Sequence, residues 1–136
     1  MKLTNPLFIW LWVLPLALTC LAAYPQNESV HKLVSAALAG GKTEELVKYF
    51  NNMVDLGLPG SEDTYSKTQA QRIIEDFFRR NPVKSYKNNR VGTSGDGSQF
   101  SIGILEAGGK QYRVYYLLKK VVDKPLIQQF QIQEEK

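Results

Sequence analysis

Gln99 to Leu118 reads QFSIGILEAGGKQYRVYYLL, and the fold turns on this stretch. Apolar residues alternate on both sides of Gly108-Gly109, with the period of two that marks a strand. A two-residue glycine turn between two such runs is a β-hairpin signal, because both central residues take φ > 0. Such a turn sets Phe100 opposite Leu117, Ile102 opposite Tyr115 and Ile104 opposite Arg113. Downstream, Asp123-Lys124 reads as a second turn and Leu126 to Gln133 as the last strand. That turn would set Leu117 opposite Phe130 and Tyr115 opposite Ile132. Phe100, Ile102, Ile104, Tyr115, Leu117, Phe130 and Ile132 are then expected on one inward face. Leu105, Tyr112, Val114, Tyr116 and Leu118 are expected on a tyrosine-rich outer face.

Upstream, the period changes to that of helices. Val30, Leu33, Val34, Ala37 and Leu38 form one stripe, closed by Gly40-Gly41. A second helix is expected from Glu44 to Phe50 with Thr43 as its N-cap. The third has Ser66 and Gln69 in capping-box spacing, then Ala70, Ile73, Ile74, Phe77 and Phe78 on one face. Asn81-Pro82 stops it. Between the second and third helices, Met53 to Leu58 reads as a short strand closed by Pro59-Gly60, and Val83 to Tyr86 as another. The expected architecture is α+β: three N-terminal helices packed on a curved, mainly antiparallel sheet.

The 136 residues carry 17 Lys plus Arg against 13 Asp plus Glu, with one His and one Cys, which allows one compact domain and excludes a disulfide framework or a Cys/His zinc site. Leu7 to Leu18 is an uncharged apolar run after Lys2, followed by small residues at Cys20, Ala22 and Ala23. This is the layout of a cleaved secretory signal over residues 1–22, leaving a single domain over 23–136. The protein is therefore expected to be exported, periplasmic or extracellular. The alternatives are an uncleaved N-terminal anchor, whose run of about 17 residues is the lower limit for crossing a bilayer, and lipidation at Cys20. Only through that segment would the chain meet a membrane.

Several stretches carry a family likeness. They are Gly40 to Leu46 (GGKTEEL), Tyr65 to Ala70 (YSKTQA), Asp76 to Pro82 (DFFRRNP), Asp96 to Gly103 (DGSQFSIG), Tyr112 to Tyr116 (YRVYY) and Ile127 to Gln129 (IQQ). Together they resemble domain-of-unknown-function family 4783, small exported proteins of Bacteroidetes, over roughly residues 27–133. The order of elements resembles the nuclear-transport-factor-2-like (cystatin-like) cone. The resemblance implies a fold and no reaction, since the matching residues are caps, turns and core positions.

Reactive residues are few. His31, the sole histidine, is placed at the edge of the first apolar stripe. Neighbouring acids such as Glu44-Glu45 and Glu75-Asp76 point about 100° apart on a helix and make no dyad. Gly92 to Ser98 lacks the lysine and following helix of a phosphate loop. Arg79, Arg80, Lys84, Lys87 and Arg90 read as a solvated basic edge. Candidates for a ligand pocket are Asp55, inside an apolar strand, with Tyr65, Arg113, Tyr115 and Gln128. Candidates for an interface are Leu105, Tyr112, Tyr116 and Leu118, through which a homodimer could form on the sheet. No metal, cofactor or nucleic acid is expected. The leading expectation is a non-enzymatic module binding a protein or a small ligand; the alternative is an isomerase- or cyclase-like cone enzyme using Asp55 or tyrosine hydroxyls.

Overall fold

The computed structural model describes residues 29–136, so the expectations for residues 1–22, Cys20 included, lie outside the described residues. Helix α1 (Val30–Ala39) and a single turn, α2 (Thr43–Val47), precede strand β1 (Phe50–Leu58) and strand β2 (Ser61–Ser66). Helix α3 (Lys67–Arg80) follows, then β3 (Val83–Thr93), β4 (Gln99–Ala107), β5 (Lys110–Val121) and β6 (Lys124–Glu134). The six strands make one sheet in the order β2-β1-β6-β5-β4-β3. All neighbours are antiparallel except β1 and β6, which run parallel.

This corrects the expected layout of three N-terminal helices on a mainly antiparallel sheet. The third helix lies mid-chain, between two strands, and the molecule is mostly a mixed sheet. The missed element is β2, which pairs with β1 around Pro59-Gly60. Its sequence, SEDTYS, has no apolar alternation, because an edge strand needs no buried face at most positions. Phe50, read as the end of α2, instead begins β1 with its ring in the core.

Helix α3 forms as the sequence dictates. The Ser66 hydroxyl accepts from the Gln69 backbone N–H at 3.2 Å, and Gln69 Oε1 accepts from the Ser66 N–H at 3.1 Å, a complete capping box. Ala70, Ile74, Phe77 and Phe78 are its buried face. They meet α1, α2 and the sheet in one core with Val34, Leu38, Leu46, Phe50, Phe130 and Ile132.

The Gly108-Gly109 turn holds its expected register: Phe100 pairs with Leu117, Ile102 with Tyr115 and Ile104 with Arg113. The second turn does not. Val122 and Asp123 are its central residues, with φ of 50° and 62°, and Val121 pairs with Lys124. A bulge at Gln128 shifts the ladder again, so Tyr116, not Leu117, opposes Phe130. A displacement of one residue exchanges the faces of a strand. The inward face therefore carries Ser101, Gly103, Leu105, Ala107, Tyr112, Val114, Tyr116 and Leu118 together with Phe130 and Ile132. Phe100, Ile102, Ile104, Tyr115 and Leu117 are half-buried on the opposite face, which none of the described helices covers. The expected outer patch of Leu105, Tyr112, Tyr116 and Leu118 is thus interior, at 0%, 4%, 0% and 2% exposure, and no partner can dock on it.

Candidate functional site

The inward face has a polar patch where α1 crosses β3 and β4. His31 follows the same stripe as Val34 and Leu38, at i, i+3 and i+7, and is 6% exposed. Its Nδ1 lies 2.8 Å from the Tyr116 hydroxyl and its Nε2 lies 3.0 Å from Gln99 Oε1. An amide oxygen can only accept, so Nε2 carries the proton. The bare Nδ1 then accepts from Tyr116. Burial disfavours the imidazolium and holds the His31 pKa below its usual value, against a smaller opposing effect of the Gln99 hydrogen bond. Burial also pushes the Tyr116 phenol well above its ordinary range, so it stays a donor.

Ser101 continues the patch. Its hydroxyl donates to Asn88 Oδ1 at 2.9 Å, and it lies beside both Tyr116 and Tyr86. The Tyr86 ring crosses over Gly103: a Cβ there would sit 2.2 Å from the Tyr86 hydroxyl oxygen. Glycine is required at 103 for that reason. Among the described residues, Tyr86 Oη is the buried side-chain polar atom without a hydrogen-bond partner. Its pKa is raised by burial to about 12.

Gln99 connects this patch to the outside. It lines a cleft of about 430 Å³ with Ser29, Val30, Leu118, Lys120 and Pro125, and with Lys119 and Gly97 at the rim. The cleft is better enclosed than the other large depression, of about 460 Å³ between α2 and α3. Asp96, close enough to Lys119 for its charge to be felt, caps the β3–β4 turn. It accepts from the Ser98 hydroxyl and from the Ser98 N–H, and these bonds hold its carboxyl below the usual range. The Gly92 to Ser98 stretch is thus a hairpin connection closed by Ser94 N–H donating to Ser98 O at 2.7 Å.

The sequence candidates for a pocket fall elsewhere. Asp55 is exposed on the uncovered sheet face, where it accepts from the Thr64 hydroxyl at 2.6 Å. Gln128 accepts from Asn51 at 2.9 Å, and both line a shallow depression of about 380 Å³ with Asp55. Tyr115 lies on that same face, and Arg113 pairs there with Glu135 at 3.3 Å. Tyr65 packs against the core from the other side of the sheet, opposite Val54. The depression that holds Asp55 has no tyrosine in its lining. In the basic run, Arg80 pairs with Asp76 at 3.1 Å, Arg79 also pairs with Asp76, and Lys84 lies 4.0 Å from Glu106. Sequence reasoning missed His31, Gln99, Ser101 and Tyr86. The signals were the i, i+3, i+7 position of His31 and two small residues, Ser101 and Gly103, alternating inside a strand.

Comparison with known proteins agrees with the fold. A family protein from Bacteroides uniformis is 32% identical, with a TM-score of 0.74 over 79% of this chain and 98% of its own. A second, from Bacteroides ovatus, is 33% identical, with a TM-score of 0.72 over 76% and 94%. A domain of unknown function with a cystatin-like fold from Nostoc punctiforme shares the fold alone, at 11% identity and a TM-score of 0.62 over 78% and 73%. No curated protein sequence matches the chain. The family model for DUF4783, a domain of unknown function, matches residues 31–133, and the chain belongs to that family.

Proposed function

We propose that this protein is an exported, non-enzymatic module that binds a small amphipathic carboxylate in the cleft beside α1. The observation that carries the reading is the Gln99 side chain. Its carbonyl is fixed by His31, while its amide NH₂ has no hydrogen-bond partner among the described residues, and the residue lines the cleft. Lys119 and Lys120 supply positive charge at the mouth, and Val30, Leu118 and Pro125 supply apolar wall. A lining split between apolar residues (Val30, Leu118, Pro125) and polar or charged ones (Ser29, Gln99, Lys119, Lys120), at a few hundred Å³, suits a small amphipathic ligand. Catalysis is poorly served here, because both nitrogens of His31 are already engaged and the Tyr116 hydroxyl is spent on one of them. Export rests on the apolar run from Leu7 to Leu18 and the small residues after it.

Isothermal titration with octanoate, and with benzoate as a shorter probe, tests the reading. Octanoate should bind with a Kd below about 1 mM. Lys120→Gln should weaken it by about 3- to 10-fold, and Gln99→Leu by more than that. Absence of heat with both probes at millimolar concentration, or equal binding by both variants, overturns the assignment.

A further inference from the structure

The β5–β6 hairpin outruns its neighbours in the sheet. On one side, β4 pairs with β5 no further than Gln99 and Leu118; on the other, β1 meets β6 first at Phe50 and Ile127. The ladder of the hairpin itself continues through Lys119–Leu126, Lys120–Pro125 and Val121–Lys124. At about 3.4 Å per residue, these pairs make a two-stranded finger about 10 Å long. Its sequence, Lys119 to Leu126, is KKVVDKPL. Lysines, aliphatic side chains and one acid fill it, without the glycine, asparagine or serine usual in a turn. At the tip, Val122 is 95% exposed and has a φ of 50°. A β-branched residue strains the chain in that backbone region, and here it buries nothing in return. Strain without a gain in packing points to a role outside folding. Lysines suffice to guard the unpaired edges of the finger against other strands, but they do not account for an aliphatic tip.

The charge points the same way. Lys119, Lys120 and Lys124 are exposed, and none makes an ion pair among the described residues. Two acids stand nearby: Asp123 in the turn, and Asp96, whose charge reaches Lys119 at the base of the finger. The finger keeps an excess of cations around its apolar tip. The course of the chain adds a third observation. Ser29, the first described residue, lines the same cleft as Lys119, Lys120 and Pro125. Residues 1–28, with the uncharged run from Leu7 to Leu18, therefore join the domain beside the finger.

We propose that this finger docks on the surface of a bilayer of anionic phospholipid, with Val122 among the headgroups and Lys120 and Lys124 against their phosphates. The sequence led us to expect membrane contact through the N-terminal segment alone; the finger is a second contact at the same end of the molecule. Its reach of about 10 Å matches the depth of about 5–10 Å at which apolar groups settle in the interface. A tip this small binds weakly by itself, and more tightly where the N-terminal segment stays attached, because linkage makes the second contact intramolecular. Val122 and Lys124 do not line the carboxylate cleft, so this proposal and that reading can fail separately.

The test uses protein recovered from cells expressing the full chain with Val122→Cys, labelled with an environment-sensitive dye. Labelled wild type, whose sole thiol is Cys20, supplies the background, and Ser61→Cys, in the turn at the opposite end of β1, is the control. With vesicles of phosphatidylglycerol and phosphatidylcholine at about 3:7, the dye at position 122 should brighten with a half-rise at or below about 2 mM lipid. Phosphatidylcholine alone should need at least about 10-fold more. Lys124→Glu should raise the half-point by about 10-fold or more, whereas Lys87→Glu, the same charge change on exposed β3, should move it by less than about 3-fold. A dye at 122 that stays dark at about 5 mM lipid overturns the proposal, even if the finger captures a protein instead. Equal brightening at 61, equal response to neutral vesicles, or equal weakening by Lys87→Glu and Lys124→Glu overturns it as well.

Discussion

Two tyrosine-to-phenylalanine substitutions in the same patch should have opposite consequences. Tyr116 is fully buried and its hydroxyl donates to His31 Nδ1 at 2.8 Å. Tyr116→Phe deletes that bond and leaves a buried imidazole nitrogen unsatisfied, a cost of about 1–3 kcal/mol. The Tyr86 hydroxyl is buried with no hydrogen-bond partner among the described residues, so the folded state already bears its desolvation. Tyr86→Phe removes that burden and keeps the ring over Gly103, so it should be neutral or stabilise by up to about 1 kcal/mol. The variants should then differ by roughly 1–4 kcal/mol although the same atom is deleted from the same residue type. For a domain of this size, about 4 °C of Tm accompanies each kcal/mol. Urea unfolding followed by far-UV circular dichroism measures both, with an unchanged m-value as the check that only stability has moved. A Tyr86→Phe loss exceeding about 1 kcal/mol, or a Tyr116→Phe loss under about 0.5 kcal/mol, would refute the hydrogen-bond assignment made for the patch.

Further outcomes follow from single features. Because burial lowers the pKa of His31, the unfolded chain takes up the proton first. Stability should therefore be full above about pH 7 and fall as the pH drops through about 6.5, levelling off below the folded pKa. As His31 is the sole histidine, His31→Asn should flatten urea midpoints between about pH 5 and 7, and an unflattened profile contradicts the burial argument. Ser66→Ala removes the hydroxyl arm of the capping box at α3, leaving the backbone N–H of residue 66 on Gln69 Oε1, and should cost about 1 kcal/mol, with thermal melts as the readout. Val122 and Asp123 both hold φ > 0 in the β5–β6 turn, a poor fit for a β-branched residue that is 95% exposed. Val122→Asn with Asp123→Gly should raise Tm by a few degrees; a fall would mean that this turn is not of the mirror-image type.

What was legible in the sequence was local. The capping box at Ser66 and Gln69, the stripe of α3, the stop at Asn81-Pro82 and the Gly108-Gly109 hairpin each depend on residues within one turn or one loop. Their physics is complete in a short window. The family likeness was legible for the same reason, since caps and turns are what it rests on. The polar edge strand β2 was not, because a strand with little to bury has no hydrophobic period to read.

Which side of β4 and β5 faces the helices was decided only in three dimensions. Both faces alternate plausibly, and the larger apolar side chains, Phe100, Ile102 and Ile104, lie on the uncovered one. Ser101 and Gly103 turn inward because Tyr86, Tyr116 and His31 arrive from β3, β5 and α1 to fill the space above them. The turn at Val122-Asp123 and the bulge at Gln128 then set β6 one residue away from its simplest register. Periodicity within a strand reports that two faces differ. Which of them is buried depends on volumes supplied by residues as much as 85 positions away, as His31 and Tyr116 are.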